Sequence, residues 1–97
     1  MKRFFVYMLA TQPGGPIYVG VTSDLTKRVH EHRTHQVPGF TALYNIDRLV
    51  WYEPHDSAEA AITREKRIKR WRRAWKMELI ETGNPGWEDL FEGLGPE

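Results

Sequence analysis

The run RFFVYMLA (3–10) breaks at TQPGG (11–15) and resumes as PIYVGV (16–21). Both runs are rich in aromatic and branched residues, so each reads as a strand. TQPGG is a turn cluster. Strands joined this tightly pair antiparallel, because a parallel pair needs a crossover of a dozen or more residues. The chain therefore starts as a β-hairpin.

The rest of the pattern adds helices to that hairpin. Thr22-Ser23-Asp24 supplies N-cap candidates, and Leu25 to about His35 is expected as a helix. Residues 36–47, with Pro38 and Gly39, read as a loop. RLVWYE (48–53) reads as a third strand that Pro54 stops. Ser57 is a good N-cap with Glu59 in the turn that follows, and a helical stretch is expected to about Glu81, with a bend near residues 70–73. Gly83 suits a helix stop, Asn84-Pro85-Gly86 a turn, and WEDLFE (87–92) a last short turn of helix. The order β-β-α-β-α(-α) is an α+β layout: a small antiparallel or mixed three-stranded sheet flanked by helices.

With 97 residues, one domain over 1–97 is expected. Apolar residues make up 40 % and four Trp are present, which argues against disorder. There is no cysteine, so disulfides and thiolate metal sites are excluded and a cytoplasmic location is expected. The apolar stretch Phe4–Ala10 is too short for a membrane span and has no small-residue cleavage site, so no membrane partner is expected.

The net charge of +1 conceals a segregation. Residues 1–63 carry six Lys or Arg and six Asp or Glu. Residues 64–76 carry eight basic side chains (Arg64, Lys66, Arg67, Lys69, Arg70, Arg72, Arg73, Lys76) against the single acid Glu65. Residues 77–97 carry six acids and no Lys or Arg. A dense basic stretch with Trp71 and Trp75 interleaved suits a phosphate backbone. A solvated helix face, partly neutralised by the acidic tail, is the plainer alternative.

Several polar side chains fall where periodicity asks for core. Leu25 and Val29 define the inward stripe of the first helix, and His32 projects between them. Arg28 is one turn before His32 on the same flank. Such a histidine is either satisfied within the packing or part of a site. On the long helix, Ala58, Ala61, Ile62, Ile68, Trp71 and Trp75 mark the inward stripe, with Glu65 in the middle of it. A carboxylate there has to be paired, protonated or metal-bound. The two options are a salt bridge, with Arg28 as the candidate partner, and a hard cation such as Mg²⁺ held by one carboxylate, phosphate oxygens and waters. On the strands, a four-residue loop over 11–14 would set Tyr7 directly opposite Tyr18 on one face, and one residue of slippage would separate them unless a bulge near Gly20 compensates.

Two phenols, a guanidinium, an imidazole and a carboxylate make a possible phosphodiesterase set. Phosphoryl transfer needs an activated water, positive charge on the phosphate and help for the leaving oxygen. No Ser nucleophile elbow, Cys nucleophile, Gly-rich phosphate loop or HExxH competes with that reading. His30, His32 and His35 do not match a common zinc spacing.

Val6-Tyr7-Met8, eleven residues ahead of Tyr18-Val19-Gly20, resembles the paired motifs of the GIY-YIG endonuclease family, the first motif keeping only its tyrosine. YVGVTSDLTKRVHEHR (18–33), with its arginine ten residues after the second-motif tyrosine, is similar to the family's second strand and first helix. RLVWYE and AITREKRIKRWRRAWK resemble the small stand-alone members related to the nuclease domain of the bacterial excision-repair subunit. The resemblance spans about residues 3–90. It implies a small mixed sheet flanked by helices and a nuclease site with one divalent cation, Mg²⁺ or Mn²⁺. By motif position it implies Tyr7 and Tyr18 as the two motif tyrosines and Arg28 as the phosphate-stabilising arginine. It puts His32 where relatives place His or Tyr, and makes Glu65 the metal ligand. Either Tyr18 or His32 would help deprotonate the attacking water. The implied reaction is metal-dependent hydrolysis of DNA phosphodiesters in repair or recombination, DNA being favoured over RNA. The chain departs from the family in having Val21 where some relatives have lysine. It also has Trp75-Lys76-Met77 where many carry an asparagine, Asn84 being the nearest. Larger members append a DNA- or partner-binding domain, so a protein partner supplying specificity is expected here. The alternatives are a catalytically weak nucleic-acid-binding module using residues 64–76 and a protein-interaction role.

Overall fold

In a computed structural model of the protein, residues 3–94 are described. They form β1 (Phe4–Ala10), β2 (Ile17–Thr22), α1 (Leu25–Arg33), α2 (Phe40–Tyr44), β3 (Arg48–His55), α3 (Ala58–Arg70), α4 (Arg73–Gly83) and a 3-10 turn (Glu92–Leu94). The sheet order is β2-β1-β3, and both pairings are antiparallel. Of the expected antiparallel or mixed sheet, the antiparallel form is the one adopted. No helix among the described residues is long and apolar enough to cross a membrane.

The hairpin register differs from the expected one by two residues. Ala10 pairs with Ile17, so Tyr7 lies opposite Gly20 and Tyr18 opposite Leu9. Pro16 has no N–H for the ladder, so pairing begins one residue later and the loop lengthens. A shift of two preserves the face, so the tyrosines become diagonal neighbours on one side of the sheet. The bulge is not near Gly20; it lies between β1 and β3, where Met8 pairs with Trp51 and Leu9 with Leu49. The extra residue, Val50, is fully buried. Its carbonyl accepts from Asn84 Nδ2 at 3.1 Å.

The central strand separates two cores. Val6, Met8 and Ala10 pack with Val19, Val50, and Ala61 and Ile68 of α3. Tyr7 and Leu9 pack on the other side with Leu25 and Val29 of α1, together with Ile46 and Leu49. Asp24 caps α1 through Lys27 N, and Ser57 caps α3 through Ala60 N.

Four local expectations are corrected. The stretch 36–47 is not all loop: α2 forms after Gly39 (φ 101°) and ends at left-handed Asn45 (φ 54°). Pro54 does not stop β3, which runs to His55; β3 is an edge strand, where a missing N–H costs no ladder bond. Residues 87–91 form no helical turn and instead lie along the β3 edge, with Leu90 N donating to Leu49 O and Asp89 Oδ1 accepting from Leu49 N. On the long helix, Ile62 and Trp75 are 40 % and 51 % exposed, so neither belongs to the core. The expected bend is real, since Trp71 and Arg72 are extended between α3 and α4.

Candidate active site

Four of the expected site residues converge on the α1 side of the sheet. Tyr7 is buried, and its ring lies across Gly20: a Cβ built on Gly20 would come within 2.5 Å of Tyr7 Cζ and Oη. Only a glycine opposite lets the phenol lie flat on β2. The Tyr7 hydroxyl is 3.0 Å from His32 Nε2, and His32 Nδ1 is 3.0 Å from Thr41 Oγ1. His32 is 1 % exposed and Thr41 2 %. Tyr18 is half-buried, its ring centroid 5.3 Å from that of His32 and 6.3 Å from that of Tyr7. Arg28 sits beside the Tyr7 oxygen and pairs with Glu31 at 3.3 Å, its side chain about a third exposed.

Burial sets the proton states. It pushes the Tyr7 phenol up to about 12, against the pull of Arg28. It pushes His32 down to about 4, and the positive charge of Arg28 adds to the effect. Near neutral pH Tyr7 therefore keeps its proton and His32 stays uncharged. With Arg28 beside its oxygen, Tyr7 donates its O–H to His32 Nε2, and Nδ1–H donates to Thr41 Oγ1. This chain leaves neither imidazole nitrogen free. Of the two readings of His32, the satisfied one describes its contacts. Outside the cluster, a cleft of about 240 Å³ opens beside Arg28, with Thr22, Asp24 and Lys27 in its wall.

Glu65 is not brought into this cluster. It lies between Ala61 and Ile68 on α3, whose core face covers the opposite side of the sheet. It is 8 % exposed, and its Oε2 is 2.6 Å from Lys69 Nζ. The ion pair considered for it is therefore made within its own helix and not with Arg28. Among the described residues, no group of three or more His, Asp or Glu is arranged to hold a metal ion. The donor set fits a divalent cation only as one carboxylate completed by waters and phosphate oxygens.

The eight basic residues divide by their contacts. Arg64 pairs with Glu53 at 3.0 Å and lies over the Trp71 ring. Arg73 donates to the carbonyls of Gly14 and Gly15, tying α4 to the hairpin turn that leads into Tyr18. Arg72 lies over the Trp75 ring, and Lys76 Nζ donates to Lys69 O at 3.4 Å. Lys66, Arg67 and Arg70 are exposed. Asn84, by contrast, spends its amide on Val50 O and Glu88 O and accepts from Glu88 N, so it is a clamp for the tail.

The sequence marks Gly20 only as a motif residue and a place for a bulge, not as the seat of the Tyr7 ring, and it gives no sign of Thr41. The signal for Gly20 was present, as a glycine inside a strand marks close backbone approach. Thr41 had none, because its helix lies in a stretch that reads as loop.

The model of the GIY-YIG catalytic domain matches residues 3–78. The chain belongs to the GIY-YIG family. Its GIY-YIG relatives include a UPF0213 protein of Staphylococcus saprophyticus, 30 % identical over 86 % of this chain and the whole of that one. A UPF0213 protein of Haloquadratum walsbyi is 36 % identical over 69 % of this chain and 75 % of its own length. The solution structure of a UPF0213 protein from Bacillus halodurans covers 93 % of this chain and 95 % of that one, with a TM-score of 0.57 and 26 % identity. The GIY-YIG assignment accounts for the three-stranded antiparallel sheet with its helices and gives the chain a nuclease-type domain.

Proposed function

We propose that this protein is a metal-dependent endonuclease that hydrolyses DNA phosphodiesters in repair or recombination, acting in the cytoplasm with a protein partner that supplies specificity. The convergence of Tyr7, Tyr18, Arg28 and His32 on one face of the hairpin carries the reading. Arg28, in the wall of the cleft, meets the phosphate and offsets the negative charge that grows on it. Tyr18, half-buried with no partner for its hydroxyl among the described residues, orients the attacking water by a hydrogen bond and takes its proton only as the phenolate, after giving its own proton to solvent. His32 does not serve as that base. It is buried, both nitrogens are engaged and its basicity is low, so it holds Tyr7 in place. Tyr7 in turn fixes Arg28. Glu65 would hold the Mg²⁺ or Mn²⁺ ion, which when bound supplies Lewis-acid charge at the phosphate and eases departure of the 3′ oxygen. Arg64, Lys66, Arg67, Lys69, Arg70, Arg72, Arg73 and Lys76 supply non-specific phosphate attraction.

One observation favours a second reading. Glu65 lies on the helix behind the sheet, with Lys69 on its carboxylate. A catalytically weak nucleic-acid-binding module would have that arrangement without needing a metal. The test is incubation with plasmid, branched and single-stranded DNA in Mg²⁺, Mn²⁺ or EDTA. The nuclease reading expects metal-dependent cleavage by the parent and none by Glu65→Ala. Salt-sensitive binding with no cleavage in any metal would leave the second reading.

A further inference from the structure

The corner between α3 and α4 is built unlike the rest of the surface. Trp75 is 51 % exposed, although an indole this open is unusual on a small domain. Trp71 meets it edge-on, the ring centroids 6.1 Å apart. A cleft of about 300 Å³ is lined by both rings together with Glu78, Leu79 and Thr82. Arg72 lies 5.1 Å from the Trp75 ring centroid and Arg64 5.3 Å from that of Trp71. Exposed Arg70 adds its charge next to Trp71 in the chain, whereas the Arg73 guanidinium is committed to the carbonyls of Gly14 and Gly15. Lys76 is held below the usual lysine range by burial and by the like charges of Arg73 and Lys69. This is a cationic surface that an anion would relieve.

We propose that this corner is a stacking site for an unpaired nucleobase, so that the protein engages DNA through a single-stranded segment. The inference rests on the reading of residues 64–76 as a nucleic-acid surface and adds the form of DNA it takes. Three features carry it. With Arg72 over its ring, the Trp75 indole is still half exposed, and the area left open is a flat platform on which the face of any base can lie. A base inside a duplex has both faces covered, so only an unpaired base can use it. The rims differ in sign: Arg72 and its neighbours attract the phosphates, whereas the Glu78 carboxylate repels them and accepts from the N–H edge of a base. The backbone therefore follows the arginine side, with the base turned toward Glu78.

The test is binding in EDTA, where cleavage does not interfere, of a labelled single strand and of a duplex of equal length. The proteins are the parent, Trp75→Ala and Trp75→Phe, each checked for fold by circular dichroism. Loss of one stacked base weakens single-strand binding on the order of tenfold in Trp75→Ala, and Trp75→Phe recovers most of it. Duplex affinity stays within about twofold, and the salt dependence of single-strand binding is unchanged, because no phosphate contact is lost. Equal loss on both DNA forms, or no loss on either, overturns the proposal. Recruitment of an acidic protein segment in place of DNA would appear as no binding to either form. Because the assay contains no metal, Trp75-dependent binding can survive failure of the nuclease reading, and cleavage activity can survive failure of this one.

Discussion

The tyrosine–histidine cluster under α1 and the basic corner of α3 and α4 both carry polar groups, but water treats them oppositely. In the cluster, Tyr7, His32 and Thr41 are sealed from solvent and joined by two hydrogen bonds of 3.0 Å. Proton positions there are fixed by burial, and salt has little access. At the corner, charges crowd one another in solvent, and whatever they hold is held by a field that salt weakens. Under the nuclease reading proposed above, the difference shows where each half of the site belongs. Groups that must meet a phosphate in a set geometry are anchored in the core. Groups that only collect the polyanion stand outside, where their positions need not be exact.

The sharpest way to break the comparison is a pair of arginine variants. Arg28→Ala is expected to lower the single-turnover cleavage rate on the order of a hundredfold, as loss of a preorganised charge at a transition state does. Its salt dependence of binding stays close to the parent's. Arg70→Ala is expected to leave the rate at saturating DNA unchanged and to reduce the salt slope of binding by about one. Interchanged results would mean that the two regions have been assigned the wrong roles.

Gly20→Ala attacks the cluster without touching a polar atom. The added Cβ falls 2.5 Å from Tyr7 Cζ and Oη, so the phenol has to leave its seat on β2. Overpacking of this kind costs about 1–3 kcal/mol, measurable by urea melts. Cleavage by the protein that remains folded should fall more than tenfold, because Tyr7 then no longer reaches His32. Unchanged activity with the expected loss of stability would make Tyr7 a packing residue only.

The same contrast explains what was legible in the sequence. Strands, helix caps and the break near residue 71 follow from local rules and were readable. Leu25, Val29 and His32 on one helical stripe led to the buried histidine, because the period of a helix is fixed. The two-residue shift of the hairpin was not readable, since it turns on Pro16 and on how long the loop becomes. Tyr7 and Tyr18 stayed on a common face only because the shift is even. Pairwise contacts were least legible. The burial of Glu65 is legible from the stripe, but its partner is Lys69, four residues on and one turn away along the same flank of the helix. Trp75 was assigned to the core from periodicity that the break after Arg70 interrupts, leaving the indole outside.

The cluster also makes a prediction about pH. His32 titrates at about 4 in the folded protein and near its ordinary 6.5 when unfolded. Between those values the unfolded chain binds the extra proton, so stability rises with pH across this window. The contribution is complete above about pH 6.5 and is lost as pH falls toward 4, at most about 3 kcal/mol. Urea melts of the parent and of His32→Gln at pH 4.5 and pH 7 isolate it. The parent should lose more stability on acidification than the variant, and equal losses would mean that His32 is reached by solvent.

The smallest expected effect falls at Glu65, where the two regions come nearest in character: a buried carboxylate answered by an exposed cation. Lys69 Nζ lies 2.6 Å from Glu65 Oε2, on a side chain that is half exposed. A pair this open to solvent is worth less than about 1 kcal/mol. If a divalent cation takes its place during the reaction, Lys69 competes with the metal, and Lys69→Ala removes the competitor. The Mg²⁺ concentration for half-maximal cleavage should then fall about two- to fivefold. DNA binding in EDTA should weaken slightly, through the loss of one phosphate-attracting charge. A rise in the Mg²⁺ requirement would show that Lys69 supports the metal site instead of opposing it. No change in the requirement would place the metal elsewhere and leave Glu65 a structural carboxylate.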